Sequence, residues 1–256
     1  MVVVTGGSEG LGLAIVNQFS DSGATVVSVA RNQAKNEAAM SDTNTQAFQG
    51  DVTDDESVKN VVARIIAEFG RIDVWVNNVG KSTRANVMEV NVDEYRDFME
   101  MNFYSAVRCW NACKSHLESS SGSLVNIGSL ASKTGWPLMA PYSTSKHALS
   151  AFSHQLRLEA PKNIHVLHFC PGPIQRSDSG RRYDELSEGL SEQAKTAGAG
   201  APVKRLPPDK VAKAIVVACE KRKGEVVMPW KARILFAVSQ LSTSLGDKLL
   251  RRSVKK

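Results

Sequence analysis

At 256 residues, with 42% hydrophobic and 23% charged side chains, the chain is long and apolar enough for one large α/β domain, and the composition excludes a disordered protein. Four cysteines, Cys109, Cys113, Cys170 and Cys219, show no CxxC spacing and no ligand-like histidine nearby, which excludes a disulfide framework and a zinc module and fits reduced thiols in a cytoplasmic protein. The net charge of +6 permits contact with phosphates, anionic lipid or nucleic acid without requiring any of them.

The chain opens on Val2-Val3-Val4, a continuous apolar run suited to a strand buried on both faces, and passes into Thr5-Gly6-Gly7-Ser8-Glu9-Gly10-Leu11-Gly12. A glycine motif this early leaves no room for a cleavable leader before it, so none is expected. A helix is expected next, with Leu13, Ile15, Val16 and Phe19 on its inner side. Between a strand and a helix, glycines 6, 10 and 12 let the backbone turn tightly and aim helix N-terminal amides at a pyrophosphate. The spacing is G-x-x-x-G-x-G, not the commoner G-x-G-x-x-G, and an ordinary tight turn is the alternative reading.

A second strand, Thr25 to Val29, ends at Ala30-Arg31-Asn32, where an acidic residue would hold the adenosine ribose of NAD. Arg31 stands there instead, and its guanidinium suits the 2′-phosphate of NADP; a solvated arginine at a helix start is the plainer alternative. The third strand, near Gln46 to Gly50, leads to Asp51 and Val52, with the Asp51 carboxylate placed for an adenine amino group and Asp54 the better helix cap. Val58, Val61, Val62, Ile65, Ile66 and Phe69 trace a helical stripe. A fourth strand, Ile72 to Val76, ends in Asn77-Asn78-Val79-Gly80, whose asparagines either brace the sheet or contact the cofactor, while Gly80 admits close approach. The spacing then predicts one long helix from Val92 to Leu117 around a buried Asn102, which serves as a structural bridge or as part of an active-site network.

Ser123 to Ile127 reads as a strand ending in a loop with Ser129, and Tyr142 opens a helix that carries Lys146 one turn on. A lysine ammonium beside a tyrosine favours the phenolate, so Tyr142 can exchange a proton with a carbonyl or alcohol oxygen that Ser129 holds. A sixth strand, Ile164 to Phe169, closes on Cys170-Pro171-Gly172-Pro173-Ile174, a turn placed over a nicotinamide. The polar stretch 175–208 reads as a substrate loop. A helix from Lys210 to Glu220, a strand from Gly224 to Met228 and a basic amphipathic tail from Trp230 complete the chain. In that tail Ile234, Val238, Leu241, Leu245 and Leu249 recur at helical spacing. Strands alternating with helices predict a Rossmann-type, doubly wound parallel sheet of about seven strands in a single domain, residues 1–229, followed by the tail, 230–256.

From Val2 to Met228 the sequence resembles the short-chain dehydrogenase/reductase family. T-G-x-x-x-G-x-G is met by Thr5 to Gly12, N-N-A-G by Asn77 to Gly80 with Val79 for alanine, and the Asn-Ser-Tyr-Lys tetrad by Asn102, Ser129, Tyr142 and Lys146. The resemblance implies an NADP(H)-dependent interconversion of a carbonyl and an alcohol, with Tyr142 as general acid in reduction and base in oxidation. It implies that Ser129 orients the substrate oxygen, that Lys146 lowers the tyrosine pKa and binds the nicotinamide ribose, and that Asn102 holds a relay water. The implied cofactor contacts are Thr5, Gly6, Ser8, Gly10, Leu11, Gly12, Arg31, Asp51, Val52, Asn78, Val79, Gly80, Tyr142, Lys146, Pro171, Gly172 and Ile174. Gln175 stands where relatives often place a threonine, with Ser177 as its substitute, and the tail replaces the usual Asp-Gly-Gly ending. These departures liken the chain to the branch acting on lipid-like, retinoid or steroid-like ketones. The resemblance also implies a homodimer or homotetramer. The tail is expected to pack on the substrate loop or a partner subunit, with peripheral membrane contact as the alternative, and no nucleic-acid binding is expected. A catalytically silent NADP sensor or scaffold is the rival reading of the whole chain.

Overall fold

The computed structural model describes residues 1–40, 45–175, 190 and 204–253. Seven strands, β1 (Val2–Thr5), β2 (Val26–Ala30), β3 (Thr45–Gln49), β4 (Val74–Asn77), β5 (Ser123–Ile127), β6 (His165–Pro171) and β7 (Glu225–Met228), form one sheet in the order β3-β2-β1-β4-β5-β6-β7. Every pairing is parallel, with Val2 opposite Val26 on one side and Val74 on the other. The strands are apolar on both sides because both faces of the sheet are covered. Val2 and Val4 point into one core with Ile15, Val16, Phe19, Leu167 and Ile215, while Val3 points into the other with Ile65, Trp75, Cys109, Cys113 and Leu117. Strand order reverses beside β1, so the turns after β1 and β4 part there and open the crevice in which such sheets hold ligands.

The helices are α1 (Gly10–Asp21), α2 (Gln33–Met40), α3 (Asp55–Phe69), α4 (Val92–Met99), α5 (Ser105–Ser120), α6 (Ala140–Glu159), α7 (Pro208–Glu220), α8 (Ala232–Leu241) and α9 (Thr243–Ser253). Asp54 caps α3 by accepting from the Ser57 amide, as expected, and Gly70 ends it in the left-handed region. The cysteines are all free, and Cys109 and Cys113 are core residues.

Three features depart from the sequence reading. The long helix of 92–117 is broken by a π turn, Glu100–Tyr104, between α4 and α5. The tail is two helices, parted at Ser242, whose extended backbone ends α8. Helix α2 was anticipated only as a helix start at Arg31, because its apolar face is narrow; the fully buried Asn36 holds it, accepting from Ser28 Oγ at 2.6 Å and donating to the Ser28 carbonyl at 2.9 Å.

Candidate active site

The turn after β1 is folded tightly on itself. The Gly6 amide donates to the Val29 carbonyl at 2.7 Å and its φ is +67°, while a Cβ at Gly12 would overlap the Gly6 carbonyl oxygen. Gly10, at φ +55°, faces outward with no atom within 4 Å of an added Cβ. Helix α1 starts there, and the Glu9 side chain makes no cap bond to its amides. N-terminal amides without a side-chain cap, beside an open glycine surface, are a donor set that fits a pyrophosphate. Ser8 and Leu11 sit half-buried on the same turn.

Thr5 and Asn78 lock this turn to the end of β4. Thr5 Oγ1 donates to the Val76 carbonyl at 3.1 Å and accepts from the Asn78 amide at 3.1 Å and the Val79 amide at 3.4 Å. Asn78 Nδ2 donates back to the carbonyls of Thr5 and Gly6, at 3.1 and 3.2 Å. Of the two roles open to these asparagines, bracing is the one the bonds perform. Asn77 does likewise: it accepts from Trp75 Nε1 at 2.9 Å and donates to Asn126 Oδ1 at 2.8 Å, and Asn126 donates to Ser153 Oγ on α6 at 2.9 Å.

Arg31 is exposed just beyond β2, with its carbonyl held by Gln49 Nε2 at 3.1 Å. Lys35 is a second cation nearby that the sequence reading passed over; from α2 it pairs with Glu9 of the glycine turn at 2.6 Å. Its position four residues after Arg31 was the available signal. Asp51 keeps one carboxylate oxygen on its own turn, accepting from the Thr53 amide at 2.9 Å and Thr53 Oγ1 at 2.7 Å. Val29, Gly50 and Val52 beside it pack with the buried Val58, Val61 and Trp75.

The four residues expected to handle a proton come from three segments, the loop after β5, the π turn and α6. Ser129, directly after β5, accepts from the Ala131 amide at 3.1 Å while its own amide donates to Ser132 Oγ at 3.0 Å, which fixes the loop and the hydroxyl. Tyr142 lies half-buried in the first turn of α6, and Lys146 lies buried one turn on. Lys146 Nζ donates to the Ile127 carbonyl at 2.9 Å and so ties α6 to the strand end that carries Ser129. Asn102, in the π turn and 1% exposed, accepts from the Lys81 amide at 2.8 Å and donates to the Lys81 carbonyl at 3.0 Å and Ser145 Oγ at 2.9 Å. A Cβ at Gly80 would come within 2.8 Å of Asn102 Oδ1 and 3.4 Å of Lys146 Nζ, so the glycine keeps side-chain atoms out of the gap between them.

Burial lowers Lys146 from 10.5 to about 8. The folded value lies below the unfolded one. Keeping the amine protonated therefore costs stability in full below the folded value, and the cost fades as pH rises to 10.5. At neutral pH it amounts to about 3 kcal/mol. Lys146→Met, which also loses the charge-assisted bond to Ile127 worth about 1.5–3 kcal/mol, is therefore expected to stabilise the fold by at most about 1–2 kcal/mol in urea denaturation at neutral pH. That gain should disappear as the pH approaches 10.5, and a net loss of stability at neutral pH would contradict the assignment.

Pro171 and Gly172 close β6 beside the Ser129 loop. The Gly172 amide donates to the Met228 carbonyl at 2.7 Å, and a Cβ on Gly172 would lie 3.5 Å from Leu130. Ile174 forms an isolated parallel bridge with Leu206. Ser177 and most of the expected substrate loop lie outside the described residues.

Beneath Ser129 the structure adds a group the sequence reading missed. His168, fully buried on β6, lies 3.5 Å from Cys170 Sγ and 3.6 Å from Glu225 on β7, and Glu225 also pairs with Lys133. The cysteine thus has a histidine close by after all, two residues back along the strand. Contact with His168 and Lys133, working against burial, holds Glu225 at about 2, and burial pushes the Cys170 thiol up to about 12. A polar residue at the centre of an apolar strand was the signal.

Residues 1–186 match the short chain dehydrogenase family. A dehydrogenase/reductase SDR family protein 7-like of Dictyostelium discoideum is 34% identical over 186 residues, a match spanning 68% of this chain and 58% of that relative. An uncharacterised oxidoreductase of Bacillus subtilis (strain 168) is 27% identical over 264 residues, spanning 98% of this chain and 71% of the relative. Among solved structures, a short-chain dehydrogenase from Streptomyces avermitilis has a TM-score of 0.80 at 28% identity and covers 100% of this chain and 98% of its own. With sheet order, glycine turn and matched residues in agreement, the chain belongs to the short chain dehydrogenase family of NAD(P)-dependent oxidoreductases.

Proposed function

We propose that the protein interconverts a ketone or aldehyde and an alcohol on a hydrophobic substrate, using NADP(H), with Tyr142 as the general acid/base. The observation that carries this reading is the bond from buried Lys146 to the Ile127 carbonyl, which sets the Tyr142 helix against the Ser129 loop. Bound NADP(H) would supply or accept the hydride. Ser129 Oγ already accepts from the Ala131 amide, which leaves its hydroxyl proton for the substrate oxygen. Tyr142 gives that oxygen a proton in reduction and takes one in oxidation, and the Lys146 ammonium favours the phenolate this requires. Asn102, close to Lys146 across Gly80, holds the water that returns the proton to Lys146. The glycine turn and α1 amides hold the pyrophosphate, and Arg31, with no acidic residue in its place, pairs with the 2′-phosphate.

The test follows reduced-nicotinamide absorbance with NADPH and with NADH against ketones from short and polar to long-chain and polycyclic. Faster consumption of NADPH, with the apolar ketones, is expected. Arg31→Ala should reduce the preference for NADPH by about tenfold to a hundredfold, the worth of one charge-assisted pair. Equal use of both cofactors, or a preference that survives Arg31→Ala, would remove the NADP assignment.

A further inference from the structure

Residues 231–256 contain seven of the 32 lysines and arginines and one of the 26 acidic residues, so residues 1–230 are balanced and the whole net charge of +6 lies in this stretch. The same stretch is apolar on its surface. Among the described residues, four of the ten exposed large hydrophobics lie in it, Ile234, Leu241, Leu245 and Leu249, and a fifth, Trp230, directly precedes it, with Leu241 89% and Ile234 58% exposed. Helices α8 and α9 pack on one another, and Phe236 and Leu250 are buried, so the pair is a folded hairpin attached to the body. Phe236 anchors it against Leu130, Cys170 and Val227.

The outer surface mixes two kinds of residue on one face. On α8, Ile234, Ala237 and Leu241 recur at spacings of three and four, all exposed. On α9, Leu245, Lys248, Leu249 and Arg252 fall at i, i+3, i+4 and i+7, so leucine and cation alternate along a single exposed stripe. A protein partner covering that stripe would have to bury the cations among the leucines, which is costly without matched acids. At a lipid headgroup boundary the same stripe is satisfied: leucines enter the acyl edge while lysine and arginine stems reach back to phosphates. No described helix is long and apolar enough to cross a membrane, which suits a helix pair lying in the surface plane. We propose that the α8–α9 hairpin docks this protein on an anionic lipid surface. The proposal rests on these helices and is independent of the catalytic reading.

Flotation of the full-length protein with vesicles of phosphatidylcholine alone, or of phosphatidylcholine with phosphatidylglycerol, tests it. Removing the tail would expose the Phe236 contact, so the variants are confined to exposed positions: Leu241→Asp with Leu245→Asp, and Lys248→Glu with Arg252→Glu, each checked for an unchanged thermal transition. The native protein should float with the anionic vesicles and be released by high salt. Each double variant should bind at least about tenfold more weakly. Failure to float with anionic vesicles, equal flotation with both compositions, or unaltered binding by the variants would overturn the proposal. So would a dimer of the native chain that the Leu241/Leu245 variant loses while vesicles bind neither, because the face would then belong to a second copy.

Discussion

Tyr142→Phe is expected to lower turnover by about a hundredfold to ten-thousandfold, the range over which a positioned acid/base contributes, while leaving NADPH affinity close to native. The substitution removes one oxygen at a half-buried helix position. The backbone carbonyl of Tyr142 still accepts from Ser145 Oγ at 2.9 Å, so the first turn of α6 keeps its local geometry. A loss in kcat with unchanged cofactor binding, measured by steady-state kinetics and NADPH fluorescence titration, separates a missing proton donor from a damaged site. Unchanged turnover of every accepted substrate would show that the proton comes from elsewhere and would favour a protein that binds cofactor without using Tyr142.

Gly12→Ala should abolish cofactor binding by a different route. Its Cβ would overlap the Gly6 carbonyl oxygen and lie 2.7 Å from Asn78 Nδ2. The first obstacle is backbone, and the second is the amide that joins the turn to β4. Neither can rotate away, so the turn must open. Overpacking of this kind costs about 1–3 kcal/mol. A lower thermal transition and NADPH affinity weaker by about a hundredfold or more are expected, since the α1 amides lose their aim. Gly10→Ala meets no atom within 4 Å but carries the strain of φ +55° and sets a methyl on the open side of the turn, so it is expected to weaken NADPH binding with a smaller change in the thermal transition. If both variants bound NADPH normally, the glycine turn would not be the pyrophosphate site.

Strands and motifs were legible because each depends on neighbours along the chain. Val2 to Val4, Ser123 to Ile127 and the apolar run into Pro171 announce buried parallel strands, and the observed boundaries differ from the expected ones by a few residues at most. The glycine turn, Ser129, Tyr142 and Lys146 could be singled out as a candidate site because their spacing is local along the chain. What escaped depends on residues far apart. The π turn holding Asn102 is invisible because the apolar periodicity resumes with Cys109, Cys113 and Leu117, and one extra residue in a turn leaves no compositional mark. Helix α2 needed Asn36 to meet Ser28, and the His168, Cys170, Glu225 and Lys133 group draws on three separate segments. The division of the tail was hidden as well, because the leucine spacing runs on across Ser242.

The run of side-chain bonds from Trp75 through Asn77 and Asn126 to Ser153 has a bearing on motion. Ser153 completes it by donating to the Leu149 carbonyl at 2.7 Å, so the run crosses β4 and β5 and ends inside α6, the helix of Tyr142 and Lys146. Asn77, Asn126 and Ser153 are all buried, and withdrawing α6 from the sheet would strand the Asn126 and Ser153 polar atoms without water to replace their partners. Breathing of α6 is thereby coupled to opening of the central sheet, the part of such a fold that opens last. The side of the crevice that carries Tyr142 and Lys146 is thus tied to the sheet by buried hydrogen bonds.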